Sequence, residues 1–428
     1  MMLALLFGTF FIFLALGVPI MFSMSLSAGF YYVASGYPLM QFVQKTVNGV
    51  DSFTFLAIPF FLLAGDIMGK GGISKRMLRF ANALVGPLTG GLAVTGVVSS
   101  ALFGTICGSA PATAASIGSI IVPEMEERGY VKRFTGSIIA ASGLLGIIIP
   151  PSIVMVNYGA TAGVSIGSLF IGGIIPGILA TFGLSLFAVY QSRKYGYGLV
   201  GGHKQRYNLR DIAVSFKGAV LPLTTPLFIM GSIMLGIATA TEAAVISVVW
   251  SAFLAVIVYR EISVKELCVI ITNGVAKTGQ IIGMMASSAA FGYALTVEKV
   301  PALMASFFVQ YINSTFLFFL ITFVIVLVFG CFLEVIAIIV LITPILLPTA
   351  SAMGIDPIHF GMFMCLTLCL GGLTPPVGLC LITTSRIVDV DIDKMFPDLL
   401  YCILIYIAVI ALVGFIPALS TWLPNLVM

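Results

Sequence analysis

Apolar residues run in long segments along almost the whole chain, and polar residues collect in short stretches between them. A helix needs about 20 apolar residues to cross the roughly 30 Å hydrocarbon core of a bilayer. Most of the segments reach about this length and carry few charges, which predicts an all-α polytopic membrane protein. The predicted spans lie near residues 3–34, 53–69, 83–101, 134–162, 168–190, 219–237, 241–259, 279–296, 315–329, 358–387 and 399–424.

Two of the predicted spans contain a pair of consecutive prolines. The pair at 150–151 interrupts the span at 134–162, and the pair at 375–376 interrupts the span at 358–387. Proline lacks an amide hydrogen and disfavours helical geometry in the residue before it, so each pair frees carbonyl groups from the helix. We therefore predict that both segments are broken helices.

The same two regions match each other in spacing. A Phe-Gly pair at 103–104 precedes the first broken helix, and another at 329–330 precedes the second. Pro123 and Pro348 lie at equivalent places between each Phe-Gly pair and its proline pair. The interval that separates the two copies is the same at all three places to within one position, which predicts an internal repeat.

Each repeat also contains an apolar stretch about as long as one span whose middle is not apolar. Small and polar residues occupy positions 107–111 in the first stretch, and Glu334 lies in the second. Irregular backbone is tolerated in mid-membrane only where lipid does not contact it. We therefore predict two re-entrant hairpins, at about residues 102–123 and 329–349, each of which enters and leaves on the same side.

Composition supports the assignment as a membrane protein, and the charges of the loops predict how the two halves are oriented in the membrane. The chain is 60% hydrophobic and only 8% charged, so it offers no room for a soluble catalytic domain. Three Lys and Arg residues lie between positions 128 and 133, after the first hairpin, whereas residues 349–361 after the second have none. Because cytoplasmic loops are enriched in Lys and Arg, the halves 1–205 and 206–428 are predicted to be inverted repeats.

The first apolar segment is interpreted as a retained membrane span, because it lacks a basic leader region and is longer than a signal peptide. The basic stretch around residues 193–217 is predicted to lie in the cytoplasm, where it joins the two halves.

Broken helices and hairpin tips supply the oxygen atoms that a sodium ion requires. Their ends present carbonyl groups to cations and amide groups to anions near the middle of the membrane. Hard cations prefer such oxygen ligands. We therefore predict one sodium site in each repeat, where the hairpin tip meets the helix break. The candidate sodium-binding residues are Gly108, Ser109, Thr113, Gly146, Ile149, Pro150, Val335, Ala337, Gly371, Gly372, Thr374 and Pro375.

Polar residues near the tips and just beyond the breaks are candidates for binding a transported solute. A guanidinium group in this position binds a carboxylate in bidentate fashion, whereas the same side chain next to Asp389 is equally typical of an interfacial residue. An asparagine can bind the solute or form an interhelical hydrogen bond. The candidate solute-binding residues are Ser109, Asn157, Thr161, Glu334, Thr383 and Arg386.

Four acidic residues lie in or near apolar segments, where burying a charge is costly. Asp66 and Glu298 have charged or glycine-rich neighbours and are predicted to lie at interfaces. Glu242 follows a Thr-rich turn and is predicted to cap the helix that starts there. Glu334 is the strongest functional candidate of the four, because the repeat places it near a hairpin tip.

The residues required for other kinds of chemistry are absent or scattered. His203 and His359 are the only histidines and lie 156 positions apart, so we interpret both as solvated loop residues. The seven cysteines form no C-x-x-C pair with a histidine nearby and are interpreted as small apolar residues. A phosphate-binding loop of the G-x-x-x-x-G-K-[ST] type does not occur, so we expect an ion gradient to supply the energy.

Four segments carry a resemblance to a known family: FGTICGSAPATAASIGSIIVPEM, GIIIPPSIVMVNYGATAGVS, GIATATEAA and GGLTPPVGLCLITT. They resemble the large M-type (DctM- or SiaM-like) membrane subunits of tripartite ATP-independent periplasmic (TRAP) transporters, and the resemblance covers essentially the whole chain. The residues that match these motifs directly are Ser109, Pro111, Pro150, Pro151, Thr374, Pro375 and Pro376.

The resemblance implies an elevator-type fold of the ion-transporter superfamily, in which a transport domain with two hairpins moves against a scaffold. It implies sodium-coupled import across the bacterial inner membrane of an organic acid, such as a C4-dicarboxylate or sialic acid. It also implies two partners, a small four-helix membrane subunit and a periplasmic substrate-binding protein.

Three other functions are consistent with parts of the sequence. A self-sufficient ion-coupled carboxylate symporter would have the same helices without needing a periplasmic partner. A channel would lack saturable, sodium-dependent flux. An intramembrane enzyme needs a nucleophile with a base or a metal cluster, and two isolated histidines disfavour it.

Overall fold

The chain is helical wherever its structure is described. The computed structural model describes residues 2–198, 207–311, 314–331, 333–375 and 378–428, apart from the side chains of Val309 and Tyr311. Within these ranges every regular element is a helix and no strand occurs. The predicted boundary between the halves at 205 and 206, as well as His203 and Pro376, lies outside the described residues.

The helices are numbered here in chain order. Up to Tyr195 they are α1 (Met2–Ala15), α2 (Ile20–Ala34), α3 (Leu39–Asn48), α4 (Ala57–Lys70), α5 (Ile73–Val85), α6 (Gly91–Cys107), α7 (Ala110–Glu127), α8 (Lys132–Gly143), α9 (Leu145–Ile148), α10 (Ile153–Ala162) and α11 (Ile166–Tyr195). From Leu209 they are α12 (Leu209–Met234), α13 (Ala240–Ala252), α14 (Val264–Val297), α15 (Val300–Tyr311), α16 (Thr315–Gly330), α17 (Val335–Ala352), α18 (Pro357–Gly371), α19 (Leu379–Val388), α20 (Ile392–Phe415) and α21 (Ala418–Val427). A 3₁₀ turn (Phe53–Leu56) precedes α4, and a π-helical stretch (Phe253–Val258) continues α13.

Length and composition confirm a multi-pass membrane protein. Among the described residues, seven helical segments are long and apolar enough to cross a bilayer, and the bent helix formed by α8 to α10 makes an eighth. Its two parts differ in direction by 42°, and the bend lies between Ile148 and Ile153. The predicted break at the first proline pair is therefore confirmed.

The repeat predicted from proline spacing recurs in the order of the helices. A hairpin, a broken helix and a long helix follow one another in α6 to α11, and the same series recurs in α16 to α20. The second arm of the hairpin begins at Ala110 in the first series and at Val335 in the second. The helix after the break begins at Ile153 and at Leu379, so both pairs of helix starts are separated by the same interval to within one position. The sidedness assigned from loop charge stays a prediction.

Both hairpins are longer than the sequence predicted. The first consists of α6 and α7 and the second of α16 and α17, whereas the predicted hairpins covered only 102–123 and 329–349. The spans predicted at 83–101 and 315–329 correspond to α6 and α16, which are 17 and 16 residues long, and the assignment of these helices as re-entrant arms stays a prediction. A hairpin arm is as apolar as a spanning helix, so hydropathy alone does not distinguish them.

Two further spans differ from prediction. The single first span at 3–34 is two helices, because the chain turns at Gly17, whose φ is +78°, and α2 begins after Pro19. The rings of Phe13 and Phe30 stack between these two helices. The span predicted at 279–296 is the second part of the 34-residue α14, whose polar first part the apolar pattern missed.

The two equivalent helices α8 and α18 form the centre of the protein. Every residue is buried from Phe134 to Gly143 in α8 and from His359 to Gly371 in α18. A helix that is buried on all faces must be surrounded by other helices, and here the hairpins and the long helices α11 and α20 surround the pair.

In each repeat the first hairpin arm meets the broken helix at a pair of glycines. A Cβ atom built on Gly104 of α6 would lie 2.7 Å from the Cα atom of Gly146 in α9. A Cβ atom built on Gly371 of α18 would lie 2.8 Å from the Cα atom of Gly330 in α16. Small residues allow such close approach between helices in membranes. Each hairpin therefore packs on its broken helix through direct contact between backbone atoms.

Polar contacts join the first repeat to the second. The Tyr406 hydroxyl of α20 donates to the carbonyl oxygen of Ala141 in α8 at 2.8 Å. The Ser137 hydroxyl of α8 donates to the carbonyl oxygen of Met395 in α20 at 2.9 Å. The buried Asp398 lies 3.3 Å from the Arg133 guanidinium and accepts a hydrogen bond from Gln191 at 2.9 Å. These bonds satisfy polar groups in the interior and hold the repeats in register.

The interpretation of His359 as a solvated loop residue was wrong. His359 lies in the first turn of α18 and is 3% exposed, and its Nδ1 atom lies 2.9 Å from the Ser420 hydroxyl of α21. Asp356 caps the start of α18 by accepting hydrogen bonds from the amides of Ile358 and His359, so His359 belongs to the helix and not to a loop.

Substitution of a paired glycine should destabilise the protein. In Gly104→Ala the new methyl group would overlap backbone atoms of Gly146 that cannot move aside, and we expect a loss of about 1 to 3 kcal/mol, seen as a lower unfolding temperature in nanodiscs. Gly218→Ala in α12 is the control, because no atom of a neighbouring element lies within 4 Å of the place that its new methyl group would take. Equal unfolding temperatures for the two variants would contradict the proposed packing constraint.

Candidate functional site

Residues of both hairpin tips and both helix breaks line one cavity of about 170 Å³. Most of its wall is apolar, and Leu62 of α4 and Ile281 of α14 close one side. The wall is made of Leu62, Gly108, Ser109, Ala110, Pro111, Leu144, Ile147, Ile153, Val154, Ile281, Glu334, Val335, Ile336, Cys369, Gly372, Leu379 and Cys380. The fold thus brings the equivalent regions of the two repeats, which are far apart in the chain, to one place.

The first hairpin tip is a sharp turn that touches the first break. Gly108 ends α6 with φ of +63°, a conformation that glycine adopts without strain, and the extended Ser109 begins α7. A Cβ atom built on Gly108 would lie 3.2 Å from the carbonyl oxygen of Pro151 and 3.4 Å from the Ile153 side chain. The tip therefore fits against the break only because Gly108 has no side chain.

Two oxygen atoms of the first hairpin face Gly146. A Cβ atom built on Gly146 would clash with Thr113 Oγ1 and would lie 3.0 Å from the carbonyl oxygen of Ser109. Thr113 is fully buried, and its hydroxyl has no oxygen or nitrogen partner among the described residues. Its side-chain partner is the Cys107 thiol, a weak one, so the hydroxyl oxygen next to a carbonyl oxygen is the kind of group that a hard cation would bind.

Some backbone groups at the first break form hydrogen bonds with the side chain of Ser152. The Ser152 hydroxyl donates to the carbonyl oxygen of Ile147 at 2.6 Å, and its oxygen accepts from the Met155 amide. Ile149 has extended backbone, and its side chain lies where a Cβ on Gly177 of α11 would be, so it packs away from the tip. The peptide bond between Pro150 and Pro151 is cis.

In the second repeat the tip and the break again meet at the cavity. Glu334, Val335 and Gly372 line it, and a neighbouring cavity of about 330 Å³ is bounded by Gly330, Leu333, Glu334, Val335, Gly371, Gly372, Gly378 and Leu379. The Gly372 carbonyl oxygen accepts from the Cys380 amide at 3.2 Å, and the Thr374 hydroxyl donates to the Leu370 carbonyl oxygen at 2.8 Å.

Three candidates in the second repeat lie apart from this wall. Ala337 is buried within α17, and Thr374 and Pro375 are part-buried beyond α18, so none of the three lines the two cavities. The described tip residues Cys331, Leu333 and Glu334 carry no hydroxyl, in contrast to Ser109 and Thr113 of the first repeat.

The structure separates the candidate solute-binding residues into two groups. Ser109 and Glu334 line the central cavity, and Glu334 is exposed there. Asn157 and Thr161 lie one and two turns beyond Ile153 in α10. Asn157 is fully buried, and neither its amide atoms nor the Thr161 hydroxyl has a hydrogen-bond partner in the described parts of the chain.

The other two candidates lie in the equivalent helix α19. The Thr383 hydroxyl donates to the Leu379 carbonyl oxygen at 2.8 Å. Arg386 is exposed in the last turn of α19 and forms no ion pair with Asp389 or with any other described residue. Neither residue lines the cavity, so their role in solute binding stays a prediction.

Each of the other three acidic residues has a polar partner in the fold. Glu242 forms a capping box with Thr239 at the start of α13, which confirms its predicted role as a cap. The Glu298 carboxylate accepts a hydrogen bond from the Tyr31 hydroxyl at 2.8 Å. Asp66 of α4 forms an ion pair with Lys277 of α14 at 2.7 Å.

Sequence reasoning missed the wall that α4 and α14 contribute to the cavity. Leu62 lies one turn before Asp66, and Ile281 lies one turn after Lys277, so the ion pair stands beside the apolar wall. The signal was present, because Lys277 lies in the middle of a helix long enough to span a membrane, far from Lys265 at its start. Its partner could not be found by spacing, because Asp66 is 211 residues away.

The chain is similar to known transport proteins over nearly its whole length. The family model described as the DctM component of the tripartite ATP-independent periplasmic transporter matches residues 7–419. The C4-dicarboxylate TRAP transporter large permease protein DctM of Rhodobacter capsulatus is 34% identical over 99% of this chain and 98% of its own length. The sialic acid TRAP transporter large permease protein SiaM of Vibrio cholerae is 34% identical over 96% of this chain and 95% of its own.

A third relative is longer than this chain. The isethionate TRAP transporter permease protein DctMQ of Oleidesulfovibrio alaskensis is 37% identical over 97% of this chain, which spans 65% of that relative's length. Among solved structures, the YdaH transporter of Alcanivorax borkumensis has a TM-score of 0.58 at 15% identity, with 89% of this chain and 90% of that one covered, and is similar in fold. The chain therefore belongs to the DctM family of tripartite ATP-independent periplasmic transporters, as a multi-pass component of the bacterial inner membrane and not an enzyme.

Proposed function

We propose that this subunit imports an organic acid together with sodium ions by an elevator mechanism. The observation that carries the proposal is the meeting of two hairpin tips and two helix breaks at one cavity. Discontinuous helices that meet near the bilayer midplane are where ion-coupled carriers bind their solutes and ions. Coupling requires that ion and solute sites share structural elements, and here the same tips and breaks would form both.

The first repeat offers the better-defined sodium site. Thr113 Oγ1 and the Ser109 carbonyl oxygen converge on Gly146, and the hydroxyl has no other oxygen or nitrogen partner among the described residues. Sodium binding would satisfy this hydroxyl without placing an uncompensated side-chain charge in the membrane. In the second repeat we propose that sodium is bound by carbonyl oxygens near Val335, Gly371 and Gly372, because the described tip has no hydroxyl.

The proposed solute is a small organic acid. The names of the three relatives refer to isethionate, a C4-dicarboxylate and sialic acid, and each of these is an acid. Within the cavity Ser109 offers a hydroxyl and Glu334 a carboxylate. Because like charges repel, Glu334 would contact a hydroxyl or ammonium group of the solute, and the nearby sodium would offset its charge.

The packing supports movement of the two hairpins as one unit. The glycine pairs seat each hairpin on its broken helix, and the α8 to α20 hydrogen bonds join the repeats. α4 and α14 lie outside this series, pair through Asp66 and Lys277, and touch the cavity only through Leu62 and Ile281. We propose that these two helices belong to the scaffold against which the unit slides.

Two partner proteins complete the proposed transporter. The family description names a tripartite, periplasmic system, and this chain supplies one component. We propose that a small four-helix membrane subunit and a periplasmic substrate-binding protein supply the others.

The direct test is uptake of radiolabelled organic acids into proteoliposomes that hold this chain and its small subunit. We expect uptake only when the binding protein is added and an inward sodium gradient is applied. Uptake by this chain alone would make it a self-sufficient symporter. Uptake that persists without sodium would contradict ion coupling, and flux that does not saturate would indicate a channel.

Replacing Thr113 should weaken sodium binding specifically. Thr113→Val keeps the shape of the side chain but removes the hydroxyl, and losing one such ligand costs about 1 to 2 kcal/mol. We therefore expect the sodium concentration for half-maximal uptake to rise by a factor of about 5 to 30. Thr135→Val is the matched control, because Thr135 is equally buried, has no hydrogen-bond partner among the described residues and lies away from the cavity.

The complementary variant is Glu334→Gln, which should raise the KM for the organic acid at saturating sodium and leave the sodium requirement close to that of the unmodified protein. The assignment of the two residues would be wrong if Thr113→Val changed only the KM for the solute, or if Glu334→Gln changed only the sodium requirement.

A further inference from the structure

An apolar groove opens on the outer surface of the second repeat, away from the central cavity. It has a volume of about 230 Å³ and lies between α16, α18 and α20. Its wall is almost entirely carbon, and the residues used below are Phe319, Phe323, Phe363, Ile410, Ala411 and Gly414. None of these residues lines the proposed solute site.

α20 ends beside the groove. Its last residue is Phe415, and Ile416 leaves the helical conformation with φ of −119° and ψ of 85° before Pro417. The next helix, α21, then packs against α11 instead of continuing along α16. At the near end of the groove the rings of Phe316 and Phe415 stack with centroids 5.4 Å apart.

The first repeat shows what a filled groove looks like. There α11 is 30 residues long and continues to Tyr195. Its Ser192 side chain lies directly against Gly90, at the start of α6. α6 is packed by α5, α7, α8 and α9 as well as α11 and is buried along nearly its whole length, whereas α16 buries only Phe318, Phe319, Thr322 and Val326.

The groove opens toward the hydrocarbon of the membrane. Leu320 and Val324 on α16 are 45% and 50% exposed, and Leu404 and Leu412 on α20 are 52% and 44% exposed. Apolar side chains that are exposed on membrane helices face lipid tails. The groove is therefore in contact with lipid along its open side.

We propose that the groove binds one acyl chain of a membrane phospholipid. Water gains nothing in an apolar cavity of this size, since a cavity of about 150 Å³ lined by similar residues stays dry and takes up apolar ligands. An acyl chain is narrow, flexible and present at high concentration along the open side.

The bound chain supports the arm that leads to the solute site. α16 ends at Gly330, directly before the second hairpin tip that carries Glu334. Phe319 and Phe363 form the floor of the groove with ring centroids 4.6 Å apart, so the bound chain would support the packing of α16 on α18 about two to three turns away from the contact between Gly330 and Gly371. In the first repeat α11 packs closely on α6, whereas α16 and α20 barely touch, and the lipid would fill the space between them.

The test uses the full chain in nanodiscs that contain phosphatidylethanolamine with a photoactivatable diazirine in one acyl chain. After illumination, crosslinked peptides are mapped by mass spectrometry. We expect crosslinks at groove residues such as Phe323 and Ala411 above the level found at Val249, an ordinary lipid-facing residue that is 65% exposed. Ala411→Phe, which fills the groove, should reduce the groove crosslinks to that level.

Leu404→Phe is the matched control, because it adds the same side chain to an exposed site on α20 outside the groove. It should leave the groove crosslinks unchanged. Ala411→Leu, a smaller filling substitution, gives the same comparison if Ala411→Phe folds poorly, and the unfolding temperature reports on folding. Groove crosslinks that equal those at Val249, that persist in a folded filling variant, or that disappear when the small subunit is added would each overturn the proposal.

Discussion

The contact between each hairpin and its broken helix depends on backbone atoms approaching without side chains between them. Gly104 and Gly146 provide this contact in the first repeat, and Gly330 and Gly371 provide it in the second. The distances leave almost no room for even one methyl group on either side of either pair. Because both hairpin arms are fixed in this way, their tips reach the helix breaks, and the two tips meet at one cavity.

The break itself creates polar atoms that must find partners in a setting without water. Part of this need is met locally, because Ser152 bonds the Ile147 carbonyl oxygen and the Cys380 amide bonds the Gly372 carbonyl oxygen. In the adjoining hairpin the Thr113 hydroxyl lies close to the Ser109 carbonyl oxygen and has only the Cys107 thiol as a side-chain partner. At the proposed sodium site these two oxygen atoms would bind the ion.

Much of this arrangement could be predicted from the sequence, because the relevant residues are unusual in membrane helices. Consecutive prolines revealed both breaks, and their spacing to the Phe-Gly pairs revealed the repeat and the approximate tips. Hydropathy could not separate hairpin arms from spans, since α6 and α16 are as apolar as helices that cross a bilayer.

Long-range pairing was also beyond the sequence, so the Asp66 to Lys277 ion pair and the burial of His359 against Ser420 were missed. Asn157, Thr383 and Arg386 were chosen because they follow the breaks, yet helical geometry carries them one or two turns past the cavity. Of the candidates, Gly108, Ser109, Glu334, Val335 and Gly372 line this cavity, and the roles of all the candidates stay predictions.

The most direct test of a shared site is the reactivity of single cysteines at the two tips. Ser109→Cys and Val335→Cys would be made separately in a protein whose seven native cysteines, including Cys369 and Cys380 of the cavity wall, are replaced by alanine. The account predicts that sodium and the organic acid together slow maleimide labelling at both positions, since both line one cavity. Protection of one position with no change at the other would contradict a site formed by both hairpins.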